Sequence, residues 1–185
     1  MAIIEGKLTR LRPVQADDVK RYVEWMNDPE VIRHLGARYP VSRAWEEEWL
    51  AAAAKRLSPP DVSLAIETLD GRHIGSIGLH GIGPEERQAS LGIVIGAKDC
   101  WSQGYGSDAL RSLLRFGFDE INLNRVWLEV FADNARAIAS YKKCGFVEEG
   151  RLRQNRFRRG AYHDSLIMGV LRDEFWTLEG PGGHA

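Results

Sequence analysis

The stretch from Leu91 to Gly145 narrows the possible folds of this chain more than any other. "LGIVI" reads as a strand, "GYGSDALRSLLRFGFD" as a helix and "RVWLEVF" as a second strand. "DNARAIASYKKCG" follows with Asp133 or Asn134 to cap it, lysines in its last turn and Gly145 just beyond, the punctuation of a helix. A strand-helix-strand crossover lays its two strands parallel. The preceding segment obeys a different rule: "VSLAIETLDGRHIGSIGLHGI" and "RQASLGIVIGA" hold three strand-like runs separated by "DG" and "GPEE" turns, an antiparallel meander. The sheet is therefore expected to be mixed.

The flanks extend this pattern. "KLTRLRP" reads as a first strand stopped by Pro13, and "ADDVKRYVEWMNDPEV" as an amphipathic helix with Val19, Tyr22, Val23 and Met26 on one face. Ser42 is placed to cap a helix "RAWEEEWLAAAAKRL", in which Trp45, Trp49 and Ala52 or Ala53 share a face, leaving Glu46, Glu47 and Glu48 mostly solvated. "FVEEGRLRQNRFRRGAYHDSLIMGVL" forms two long strands around Gly160. These elements predict one α/β domain over residues 1–178, with 179–185 a disordered tail.

Among 185 residues, a formal net charge of −1 gives no overall steering toward nucleic acid. The charged start does not read as a secretory signal, and no apolar run is long enough to span a bilayer. Cys100 and Cys144 make neither a metal-ligand spacing nor a disulfide framework, as suits a reducing cytoplasm. No metal, nucleic acid or membrane partner is expected.

Gly104 and Gly106 stand just before a helix, where unpaired N–H groups and the positive end of the dipole favour an anion. Three readings compete. The glycines can simply turn a corner and pack the helix on the sheet. They formally match a dinucleotide fingerprint, Gly104-x-Gly106-x-x-Ala109, but "GAKDCWSQ" separates them from the strand that should directly precede it. The third reading is a seat for the pyrophosphate of coenzyme A.

"GIVIGAKDCWSQGYGSDAL" followed by "RVWLEVFADNARAIASYKKCGF" resembles the GNAT-type N-acetyltransferase superfamily. "LTRLRPVQADDVKRYVEWMNDPEVIRHL" is similar to the opening of the branch that acetylates ribosomal-protein N-terminal alanines, and to its spermidine-acetylating relatives. The resemblance implies a mostly antiparallel mixed sheet with a central, splayed parallel pair flanked by helices. It implies acetyl-CoA as cosubstrate, with the phosphates held by backbone N–H groups from Ser102, Gln103, Gly104, Tyr105, Gly106 and Ser107. Trp101 stands where that family usually carries Gln or Arg, so a side-chain clamp is missing at that position.

The same resemblance places the acetyl-pantetheine arm along the backbone of Ile93, Val94 and Ile95, where exposed N–H groups can pair with it and polarise the thioester. Asn134 matches the asparagine that contacts the arm, although a plain N-cap explains it equally. Lys143 is a phosphate contact, in a last turn that favours positive charge anyway. Tyr141 matches the tyrosine that protonates the departing thiolate. Where relatives carry a glutamate before the phosphate turn, this chain has Ser90; His80, Glu85 or a water on Ser90 remain the candidate bases. The arginines Arg151, Arg153, Arg156, Arg158 and Arg159 tilt the acceptor toward a carboxylate-bearing amine, such as a peptide N-terminus or amino acid, and away from spermidine, while the acidic "WEEEW" pulls the other way. Asp164 is expected to be a structural acceptor for its turn. A coenzyme-A-binding module without acetyl transfer is the reading from another class, and a homodimer is a reasonable expectation.

Overall fold

The computed structural model describes residues 4–55, 57, 58 and 61–180. Its strands are β1 (Ile4–Glu5), β2 (Thr9–Pro13), β3 (Leu57–Ser58), β4 (Asp61–Thr68), β5 (His73–Gly83), β6 (Gln88–Ile95), β7 (Arg125–Phe131), β8 (Val147–Arg158) and β9 (Ala161–Leu171). The helices are α1 (Val19–Met26), α2 (Arg43–Lys55), α3 (Tyr105–Asp119), α4 (Ala135–Lys143) and α5 (Arg172–Glu179). All nine strands form one sheet in the order β1-β2-β4-β5-β6-β7-β9-β8, with β3 beside β4.

The expected junction is present. β4, β5 and β6 pair antiparallel as a meander, and β6 and β7 pair in parallel. The parallel register runs only from Gln88↔Arg125 to Ser90↔Trp127. Beyond Ser90, β6 stays bonded to β5 as far as Ile95 but has no partner on its other side. The two central strands thus splay, and one edge of residues 91–95 is open.

The crossover helix α3 buries Ala109, Leu110, Leu113, Leu114 and Phe118 against the sheet, a face set by its helical period. Each large side chain removed from water contributes about 2 kcal/mol. Phe118, Phe146 and Phe175 are all fully buried. Phe175 belongs to α5, a helix with no counterpart in the sequence reading; it is drawn into the core by packing against Phe118, with ring centroids 5.4 Å apart. The predicted tail accordingly starts too early. Glu179 ends α5 and accepts a hydrogen bond from Arg111, and residues 181–185 lie outside the described residues.

Helix α2 also departs from expectation. Ser42 caps it as predicted, accepting from the Trp45 N–H at 3.2 Å. Its inward face, however, is Glu46, Trp49 and Leu50, and Trp45 is 55 % exposed. The helix is turned by one residue from the predicted phase because Leu50 docks with Val14, Val19, Tyr22 and Ala65. The side chain of Ala53 lies outside the described residues. No helix among the described residues is long and apolar enough to cross a membrane.

Candidate active site

The open edge of β6 starts one groove. Backbone groups alternate between the two edges of a strand. The Arg87 carbonyl accepts from Arg125 on the β7 side, and the Ile95 carbonyl accepts from the Trp101 indole at 2.7 Å. The odd-numbered residues therefore face the open edge. Ile93 and Ile95 present their N–H groups there, and Val94 does not: its N–H points to β5. This corrects the expectation of three adjacent donors.

Where β6 ends, the chain turns into α3. Gly104 caps this helix at φ +91°, a conformation that L side chains rarely adopt, and no side chain satisfies the first turn. The N–H groups of Tyr105, Gly106 and Ser107 precede the first helical bond, from Asp108 to Gly104, and so form an anion seat. A Cβ on Gly106 would meet only Ile95 Cγ1, at an ordinary 3.6 Å. The fold itself thus leaves room for a side chain at Gly106; the empty space is on the groove.

Asp108 fixes this turn in place. Its carboxylate accepts from the N–H groups of Lys7, Leu8 and Thr9 and from the Thr9 hydroxyl, all within 3.0 Å. Across the groove, Asn134 caps α4 by accepting from the Ala137 N–H at 3.2 Å. Ser107 and Ser140 share a hydrogen bond of 2.8 Å that holds the first turn of α3 against α4.

These elements enclose a groove of about 530 Å³ lined by Ile93, Val94, Ile95, Ser102, Gly104, Gly106, Ser107, Asn134, Tyr141 and Lys143. The expected residues Gln103 and Tyr105 do not line it. The Gln103 amide turns back to the Asp99 carbonyl, and Tyr105 packs on the core, so only their main chain remains near the seat. Arg136, absent from the sequence reading, does line the groove and lays its guanidinium 4.0 Å over the Trp101 ring. A basic group thus returns to the place where Trp101 displaced one, now from α4. Its signal was its position two residues after Asn134, on the exposed first turn of a helix.

Tyr141 is packed between Phe146 and the groove wall, and burial pushes its phenol up to about 12. It keeps its proton at neutral pH. Cys144 beside it is likewise pushed up, to about 11, by burial. The candidate bases are dispersed. Ser90 donates to the His80 carbonyl at 3.2 Å, His80 lies 3.6 Å from Asp61, and exposed Glu85 lines neither cavity described here.

A second cavity, of about 310 Å³, adjoins the groove and shares Leu35, Gly92, Ile93 and Val94 with it. Its walls include Tyr22, Met26, Val41, Trp45, Trp49, Ile77 and the buried Glu46, which sequence reasoning left in solvent. The segment that lines the groove through Glu30, Val31, His34, Leu35 and Gly36, and the second cavity through Leu35, is pinned by the arginine hairpin. Arg158 donates to the carbonyls of Leu35, Gly36 and Ala37, and Arg159 to that of Pro29. Arg151 pairs with Asp164 and Arg156 with Glu129. Asp164 also accepts from the Gln154 N–H, the structural role expected of it.

Comparison with known proteins bears on this arrangement. Residues 9–147 match the family described as Acetyltransferase (GNAT) domain. The chain is 26 % identical over 172 residues to an uncharacterized N-acetyltransferase of Bacillus subtilis, YoaA, covering 92 % of this chain and 97 % of that one. A spermidine N(1)-acetyltransferase of Vibrio cholerae is 31 % identical over 110 residues, 60 % of this chain and 63 % of that one. A crystal structure of a putative acetyltransferase from T. thermophilus superposes with a TM-score of 0.78 at 28 % identity, over 97 % of this chain and 94 % of that one. Spermidine N-acetyltransferase from Vibrio cholerae in complex with CoA and spermine shares the fold, with a TM-score of 0.83 at 24 % identity over 92 % and 99 % of the two chains. A splayed parallel pair, a glycine-capped anion seat at its end and a groove between them are thus set in a recognised frame: this chain belongs to the GNAT family of acetyltransferases and is an N-acetyltransferase that uses acetyl-CoA.

Proposed function

We propose that the chain transfers the acetyl group of acetyl-CoA directly to a primary amine, with Tyr141 as the donor to the departing sulfur. The groove carries this reading, because it joins an anion seat, an open strand edge and a protonated phenol in one continuous space. The N–H groups at the start of α3 hold the pyrophosphate, with Arg136 and Lys143 adding positive charge. The N–H groups of Ile93 and Ile95 pair with the arm and polarise the thioester carbonyl. The amine lone pair forms the N–C bond as the C–S bond breaks; Tyr141 donates to the thiolate and regains a proton from the acylated nitrogen.

The relatives' names, spermidine N(1)-acetyltransferase and putative ribosomal N-acetyltransferase, support an amine or peptide N-terminus as acceptor. Two of the hairpin arginines, Arg151 and Arg156, no longer argue for a carboxylate-bearing one. Arg151 and Arg156 are neutralised by this protein's own Asp164 and Glu129, and the Arg158 guanidinium is turned to the carbonyls of residues 35–37.

Release of free thiol from acetyl-CoA in the presence of an amine panel tests the activity. Tyr141→Phe is expected to lower kcat about 100-fold with unchanged coenzyme affinity and melting temperature; an unchanged kcat removes Tyr141 from the reaction. Gly104→Val and Gly106→Ala are both expected to weaken CoA binding at least tenfold, only the first with a loss of stability. If no amine speeds thiol release although CoA raises the melting temperature, the chain is a binding module instead.

A further inference from the structure

Glu46 is 2 % exposed, and its carboxylate forms no hydrogen bond or ion pair among the described residues. A buried charge without a partner is costly, and folds seldom keep one without a use. Its surroundings point to that use. Glu46 opens into the cavity of about 310 Å³ that meets the groove at Gly92, Ile93 and Val94. No lysine or arginine lines this cavity, and its titratable groups besides Glu46 are the Tyr22 phenol on α1 and the His80 imidazole on β5. Ser63 of β4 and Ser76 of β5 are its remaining polar side chains.

The walls are aromatic and aliphatic. Tyr22 and Trp49 meet at 5.5 Å between ring centroids, Trp45 stands at the mouth, and Met26, Leu35, Val41 and Ile77 close the rest. One carboxylate among aromatic faces is a receptor for one ammonium group, and apolar walls receive an apolar body. A carboxylate-bearing amine would bring like charge to Glu46 and find no cation. A polyamine would bury ammonium groups for which there is no second carboxylate.

We propose that this cavity is the acceptor pocket, that Glu46 seats the reacting ammonium group, and that the preferred acceptors are primary monoamines with an alkyl or aryl body. This rests on the reading of the groove as an acetyl-transfer site. On docking, one N–H proton passes from the ammonium to the Glu46 carboxylate, which frees the lone pair for the thioester. The N–C bond forms and the C–S bond breaks, the thiolate takes the Tyr141 proton, and the nitrogen gives up its surplus proton to the phenolate. Glu46 then releases its own proton to solvent. Burial raises the Glu46 carboxyl above its ordinary range, closer to the amine it must deprotonate.

The experiment measures kcat/KM with acetyl-CoA for 2-phenylethylamine, hexylamine, spermidine, leucine and a peptide with a free N-terminus, in the native chain and in Glu46→Gln. The two monoamines are expected to lead. Glu46→Gln is expected to lower their kcat/KM about 100-fold, to remove the acid limb of the pH profile and to leave CoA affinity unchanged. Trp45→Ala, a change at an exposed ring, is expected to raise the KM for 2-phenylethylamine about tenfold with kcat retained. Preference for leucine, spermidine or the peptide overturns the proposal, as does a Glu46→Gln variant with native kcat/KM. Binding is read separately, from the intrinsic fluorescence of the CoA complex titrated with 2-phenylethylamine. Glu46-dependent binding without turnover sinks the acetyl-transfer reading and leaves the ammonium seat standing; turnover that ignores Glu46 sinks the seat alone.

Discussion

Two carboxylates lie buried on either side of helix α1, Asp18 at 5 % exposure and Glu46 at 2 %. Asp18 is surrounded by donors: Arg12 reaches both of its oxygens at 2.8 Å, the Gln15 N–H donates at 2.8 Å, and His73 Nδ1 lies 3.1 Å away. Burial alone would raise its carboxyl and is the largest single influence on it, but the Arg12 guanidinium, His73 and the Gln15 N–H together outweigh burial and hold it well below the usual carboxylate range. Glu46 feels only the burial, which raises it. The same cost of desolvation is met internally at one site and left open at the other, and of the two carboxylates it is Glu46 that lines the cavity of about 310 Å³, among the described residues. The contrast separates a charge that holds the fold from a charge reserved for a ligand.

The largest effect should come from unbalancing the closed cluster. Asp18→Ala strands Arg12 with Glu67 alone and leaves His73 without its neighbour, and is expected to cost about 3 kcal/mol in urea unfolding. Glu46→Leu should act in the opposite direction, adding about 1 kcal/mol because it removes an unpaired buried charge while abolishing turnover of amines. A destabilised Glu46→Leu would mean that the carboxylate has a partner in the folded chain, and the comparison would collapse.

This difference was only half legible in the sequence. The stretch from Leu91 to Gly145 could be read because caps and glycines mark its helix ends: Gly104 begins α3 with the backbone freedom its position uses, Asn134 begins α4, and Gly145 ends it at φ +91°. The mixed sheet followed from strand order. The phase of α2 did not, since "WEEEWL" has a tryptophan at either edge and two helical faces compete; tertiary packing of Leu50 chose the one that carries Glu46 inward. Val94 was misassigned by one step of the strand alternation, which shows only once the Trp101 indole is seen on the Ile95 carbonyl. The acceptor cavity was illegible for a broader reason. Its Leu35 wall is held by Arg158 of β8, which reaches the carbonyls of Leu35 to Ala37, a contact between segments far apart in the chain.

The smallest effect is the most diagnostic, because pH moves the two carboxylates in opposite senses. The folded-state pKa of Asp18 lies below its unfolded value of about 3.9, so its stabilisation is fully present above that value and is lost as pH falls below it. The folded-state pKa of Glu46 lies above its unfolded value of about 4.3, so its penalty is present at neutral pH and fades as acid protonates the folded chain first. Melting temperatures of the native chain, Asp18→Asn and Glu46→Gln, followed from pH 8 to pH 4, resolve the two. The Glu46→Gln advantage should be about 3 °C at pH 8 and shrink on acidification. The Asp18→Asn deficit should stay level until pH approaches 4 and only then narrow. An Asp18→Asn deficit that already narrows between pH 8 and pH 6 would place its titration with Glu46 and not with a salt-bridged acid. A Glu46→Gln advantage constant across the range would show that Glu46 is already neutral or already paired, and would remove the physical ground for reading it as the seat of an ammonium group.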